Sequence, residues 1–158
     1  MEKDIYEIAE NNLLKDMKNI LKTNVNINKE NEYGCSPLYL AISNRHEEMA
    51  LLLLEEGADG GLQDSDGFTP LHYAISNNMV NVAKVILEKK PEVLHLENKY
   101  GNQPLWVAVM NGEIPSKFIT YLLKNGADKN HKNINNFSPF DLAKEYNIKE
   151  FTSLFDGY

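Results

Sequence analysis

Residues 66–74 read Asp66-Gly67-Phe68-Thr69-Pro70-Leu71-His72-Tyr73-Ala74. Each residue type suits its place. Gly67 tolerates the positive φ of a tight tip, Thr69 can cap a helix N-terminus, and Pro70 gives up only an N–H that the first helical turn leaves unpaired. Leu71 and Ala74 then begin an apolar helix face. The run predicts a hairpin tip followed by a helix. Working outward, the same phrase recurs as Tyr33–Ala41 (YGCSPLYLA), Tyr100–Ala108 (YGNQPLWVA) and Asn135–Ala143 (NNFSPFDLA). The prolines are Pro37, Pro70, Pro104 and Pro139, so the steps are 33, 34 and 35 residues.

A second phrase recurs downstream. Leu51-Leu52-Leu53-Leu54-Glu55-Glu56-Gly57-Ala58-Asp59 is echoed by Tyr121-Leu122-Leu123-Lys124-Asn125-Gly126-Ala127-Asp128. Two phrases in fixed order at a period near 33, with T-P-L-H-x-A as the first, resemble the ankyrin repeat over almost the whole chain. The resemblance implies an all-α repeat solenoid of helix-turn-helix units with β-hairpin or loop tips. One helix pair cannot bury its apolar face alone, so neighbours stack and share a core.

The units follow from the phrases. Residues 1–30 are expected to form a degenerate N-terminal cap. Its helical spacing runs through Ile5, Ile8, Ala9, Leu13, Met17, Ile20 and Leu21, Asn11-Asn12 interrupts it at a turn, and Glu2, Lys3, Asp4, Glu7 and Glu10 supply a polar outer face. Asn24 is expected in the left-handed conformation that a closing glycine would otherwise take. Full units are expected at 31–63, 64–97 and 98–132, and a C-terminal capping unit at 133–158. Gly57 is read as a helix C-cap, while Gly60-Gly61 predicts a looser connection. Pro91 ends the outer helix of the second unit. The third unit has Trp106 where the phrase has His, and Gly112 and Pro115 in a longer inter-helix turn. Asn136 takes the tip-glycine place in the last unit, whose core Phe151, Leu154 and Phe155 close. The whole, 1–158, is expected to be one domain with no linker or second domain.

Composition narrows the class. The chain has 158 residues, 42% hydrophobic and 25% charged, which is a globular composition. The start, Met1 to Asp4, lacks the basic-then-apolar pattern of a secretory signal, and the longest apolar run, Met49–Leu54, is far too short to cross a bilayer. With a single cysteine, these features lead us to expect a cytoplasmic protein, monomeric and without a membrane partner. A net charge of −7 argues against nucleic acid, which needs a basic stripe, and suits a basic protein partner. Asparagine is 20 of the residues, which points to an AT-rich, bacterial genome.

The resemblance implies protein binding through the tips and the exposed side of the inner helices. Aligned on the prolines, the free tip positions are Glu32, Tyr33 and Cys35; Ser65, Asp66 and Phe68; Lys99, Tyr100 and Asn102; and Ile134, Asn135 and Phe137. Along the inner helices they are Ser43 and Asn44, Ser76 and Asn77, Met110 and Asn111, followed by Lys144 and Glu145. Each tip offers an aromatic ring, which either anchors a partner or packs on the next tip. A small acidic chain of this kind also resembles the ankyrin-type immunity proteins encoded beside bacterial toxins, which implies an inhibitor. The alternative expectation is an effector or adaptor acting on a host or cellular protein.

Catalysis is not expected. His72 belongs to the T-P-L-H phrase, where its ring can bond Thr69 and hold the turn. His46 opens a second helix, and His95 and His131 lie in connecting segments. Cys35 lacks an adjacent base. Glu47-Glu48 and Glu55-Glu56 read as a solvated helix face, and Asp64 and Asp66 as turn residues. With no phosphate-cradling glycine loop and no metal-ligand spacing such as H-E-x-x-H, neither cofactor nor metal is expected.

Overall fold

The computed structural model describes residues 4–158; Glu2 and Lys3, assigned above to the outer face of the cap, and the reading of Met1 to Lys3 lie outside the described residues. Among those described, ten α-helices form five successive pairs. They are α1 (Ile5–Glu10) and α2 (Leu14–Ile20), α3 (Pro37–Ser43) and α4 (Glu47–Glu55), α5 (Pro70–Ser76) and α6 (Val80–Lys89), α7 (Pro104–Asn111) and α8 (Ser116–Lys124), and α9 (Pro139–Glu145) and α10 (Lys149–Asp156). A 3-10 turn, Pro91–His95, follows α6.

The four recurring prolines each stand in the first turn of an inner helix, α3, α5, α7 and α9. Before three of them a hydroxyl caps the helix: the side chains of Ser36, Thr69 and Ser138 accept the N–H of Tyr39, His72 and Asp141. Gln103 makes no such bond. The inner helices pack in a row from α1 to α9, and behind them α4 meets α6 and α8 meets α10. The core runs through the stack without a break. Leu38, Leu71 and Leu105, one from each full unit, are all buried in it, with Phe118, Phe151 and Phe155 toward the C-terminal end. The 3-10 turn packs on α6 and α7 and buries Val93 and Leu94.

Three local readings change. Asn24 is not left-handed. The exit from α2 is instead closed by Thr23, whose N–H and hydroxyl both donate to the Ile20 carbonyl, at 3.0 and 2.6 Å, so the last turn tightens without a left-handed residue. The Gly60-Gly61 connection is tight. A Cβ on Gly60 would meet the Ile86 side chain at 2.7 Å, and Asp59 accepts both the Gly61 N–H and the Lys90 ammonium, at 2.8 and 2.7 Å. The glycines are there because the next outer helix comes that close. Finally, the tips carry no strand ladder among the described residues. They are loops closed by turns and joined to one another, where they are joined, by single backbone bonds.

Candidate protein-binding groove

Each tip is built the same way around one side chain that the repeated phrase does not include. Asn31, Asp64, Asn98 and Asn133 each stand six residues before the repeat proline. The side-chain oxygen of each accepts two backbone N–H groups: those of Tyr33 and Cys35, Asp66 and Phe68, Tyr100 and Asn102, and Asn135 and Phe137. The left-handed residue of each tip is Gly34, Gly67, Gly101 or Asn136. At Gly67 and Gly101 close approach adds to the positive φ, since a Cβ would lie 3.0 Å from the backbone of the following tip. The Lys99 N–H donates to the Asp66 carbonyl at 2.7 Å, and the Ile134 N–H to the Tyr100 carbonyl at 3.1 Å. The second, third and fourth tips are thus tied together. The first stands apart from the second, across an open recess.

The inner helices are stapled by the asparagines that follow or end them. The Asn77 amide donates to the Ile42 carbonyl of the preceding unit, and Asn111 donates to the carbonyls of Ile75 and Ser76. His72 does the same between tip and helix. Its Nδ1 faces the Thr69 N–H and hydroxyl, and its Nε2 reaches the Asn102 carbonyl at 3.1 Å, so the ring proton belongs on Nε2. His46 Nε2 reaches the Glu10 carbonyl, and His131 Nε2 lies 3.2 Å from both the Gly101 carbonyl and the Glu97 carboxylate. Three of the four histidines therefore bridge adjacent units.

The eighteen candidate positions divide into free and engaged side chains. Glu32, Tyr33, Ser43, Asn44, Ser65, Ser76, Lys99, Tyr100, Met110, Ile134, Asn135 and Phe137 are exposed. Tyr33 (80%), Ile134 (68%) and Met110 (52%) are the most open of the large apolar ones. Cys35, Asp66, Phe68, Asn77 and Asn111 are half-buried, and Asn102 is buried, its side-chain oxygen accepting from Asn133. The tip rings do both things foreseen for them. Phe68 packs against His72, Tyr73 and Tyr100, whereas Tyr33 projects into solvent.

Seven of the eighteen meet in one cleft of about 650 Å³: Phe68, Ser76, Tyr100, Asn102, Met110, Asn111 and Asn135. Trp106, Val107 and Glu113 complete it, together with Asn98 and Asn133. Trp106 and Met110 are one helical turn apart on α7 and share a face. The indole nitrogen of Trp106 is buried with no hydrogen-bond partner. Trp106 occupies a position of the repeat phrase, which the alignment of free positions passes over; the Trp that stands there in place of His is the signal that marks it. A second recess of about 540 Å³ lies between the first two tips. Tyr33, Cys35, Ser65 and Asp66 line it with Glu30, Asp64, Tyr39 and Tyr73. The Tyr73 hydroxyl donates to Asp64 at 2.5 Å, and burial, with that carboxylate, pushes the phenol up. Ile134 and Phe137 stand outside both.

Nothing in the groove activates a nucleophile. Burial, then Asp64 and Glu30, push the Cys35 thiol up, away from thiolate. Burial drives the His72 imidazole down to about 4, against the Asn102 carbonyl and the Asp64 charge. Among the described residues no group of three or more His, Cys, Asp or Glu is placed to hold a metal ion, and no helix is long and apolar enough to cross a membrane.

Comparison with known proteins agrees with the stack. Two overlapping segments, residues 5–95 and 61–133, match the family described as Ankyrin repeats (3 copies). The chain is also 30% identical, over 127 residues, to the fowlpox virus protein FPV222, whose name describes an ankyrin repeat protein. That match covers 80% of this chain and 16% of the viral protein, so the chain spans about a sixth of the length of that relative.

Proposed function

Because the chain belongs to the ankyrin repeat family, whose members are generally non-catalytic protein-interaction scaffolds, we propose that it grips one partner protein in the groove between its tips and inner helices. The observation that carries this reading is where the apolar surface lies. Tyr33, Tyr100, Met110, Ile134 and Phe137, five of the seven exposed large hydrophobic residues described, are on tips or the inner helix α7. Exposed rings and methionines concentrated on one side favour a binding face over a solvated one. Function on this reading is occlusion. The chain acts as a stoichiometric inhibitor of its partner, in the manner of an immunity protein, and its net charge of −7 speeds encounter with a basic one. We take the units 1–30, 31–63, 64–97, 98–132 and 133–158 as one cytoplasmic, monomeric domain.

A second reading, an adaptor that engages a host protein, is favoured by one observation: the similar protein belongs to a virus. The two differ in their partner and share the groove. Affinity capture from the native host followed by mass spectrometry identifies the partner, and binding by variants then locates it. Met110→Asp is expected to weaken binding at least tenfold, and Glu48→Lys on the outer helix α4 to leave it unchanged. Equal binding by both variants would remove the groove from the account.

A further inference from the structure

We propose that the groove recognises an extended segment of its partner that carries one bulky apolar side chain and, within about five residues of it, a lysine or arginine. This rests on the protein-binding reading and adds the chemistry of the occupant.

The apolar half is the cleft on α7. Trp106, Val107 and Met110 offer apolar surface in a cleft of about 650 Å³ that the rings of Phe68 and Tyr100 also line. That is ample for a leucine, methionine or aromatic side chain. Met110 is a residue that repacks around varied apolar groups.

The charged half is the recess between the first and second tips. Its carboxylates are Glu30, Asp64 and Asp66, and its rings are Tyr33, Tyr39 and Tyr73. Asp66 is paired with Lys99 and Asp64 accepts the Tyr73 hydroxyl, whereas Glu30 has no cationic side chain in ion-pair range among the described residues. A cation entering here meets a net negative wall and aromatic faces, both of which attract it. The recess exists because no backbone bond closes the first tip onto the second, as bonds do between the later tips.

The two halves are continuous. The rings of Tyr39, Tyr73, Phe68 and Tyr100 form a contiguous row with centroid separations of 4.9, 5.6 and 6.5 Å. Such a row spans at most about 17 Å, which up to about five residues of extended chain at ~3.3 Å each would bridge. Complementary charge at one end and apolar burial at the other select a polypeptide segment over a compact ligand.

The test selects phage-displayed random dodecapeptides on the full chain and titrates the synthetic winners by the emission of Trp106, the single tryptophan. The expected consensus pairs a bulky apolar residue with Lys or Arg at the stated spacing. Alanine at the apolar position, or Met110→Asp in the protein, should each lower affinity at least tenfold. Glu30→Gln should lower it about threefold and flatten its salt dependence. A consensus lacking the cation, or no shared consensus, overturns the proposal. So do winners that leave Trp106 emission unchanged and bind Met110→Asp as wild type. Winners that depend instead on Ile134 and Phe137 overturn it while leaving groove binding intact. Winners indifferent to every tip and inner-helix substitution overturn both.

Discussion

His72 shows how one side chain ties the stack to pH. The folded protein holds the ring neutral, with burial lowering its pKa to about 4, whereas the unfolded chain takes up a proton near 6.5. The stabilisation is therefore complete above pH ~6.5 and is lost as pH falls to about 4, on the order of 3 kcal/mol. Asp141 acts in the same direction at lower pH. Lys132 first, then the Ser138 N–H and hydroxyl, hold its carboxyl down to about 2. Its contribution is present above the ordinary carboxylate range and disappears as pH falls through about 2. Urea midpoints should be flat from pH 7.5 to about 6.5 and fall from there to pH 4 for the wild-type chain, and the fall should be much smaller for His72→Gln, which keeps a polar side chain without the titration. Among the tip rings, Tyr33→Ala should leave the melting temperature unchanged. Phe68→Ala should cost about 1–2 kcal/mol, because its ring contacts with His72, Tyr73 and Tyr100 are lost. The place of Phe68 in its tip left open whether it anchors a partner or packs on the next tip, because the repeat phrase does not reveal what the next tip sets against it.

At the scale of the helix, the starts were legible and some of the stops were not. Proline and a hydroxyl cap act on their own turn, so Thr69-Pro70 and Ser138-Pro139 mark helix starts without help from the fold. Asn24 and Gly60 depend on neighbours. The first is relieved by Thr23 closing the turn, and the second is dictated by Ile86 one unit away. Of the asparagine and aspartate column that builds the tips, Asp64 was legible as a turn residue, whereas Asn31, Asn98 and Asn133 were silent until the turns gave them the same role. The cleft was legible only in part, since its candidate residues aligned by repeat position while Trp106 passed as one of the repeat's own. Gln103 is where the repeat departs from its own capping rule, and its side-chain oxygen is buried without a partner. Gln103→Thr should install the missing cap and raise stability by about 1 kcal/mol in chemical denaturation. A loss would show that the bond from its amide to the His95 carbonyl matters more.

Across the whole molecule, each unit relies on its neighbours for burial, so damage at the centre is felt throughout the stack. Leu71→Ala and Leu105→Ala, at fully buried inner-helix positions, should each cost about 2–5 kcal/mol. The surface that remains after this packing is uneven. Ties between tips lock the C-terminal half of the groove and leave the N-terminal recess open, and the exposed apolar residues gather on that same side.

The most direct measurement is hydrogen–deuterium exchange of the chain alone and bound to its captured partner. The account predicts new protection in residues 30–35, 64–68, 98–111 and 133–137, with the outer helices α4, α6 and α8 unchanged. Protection confined to those outer helices, with the tips exchanging as before, would contradict it.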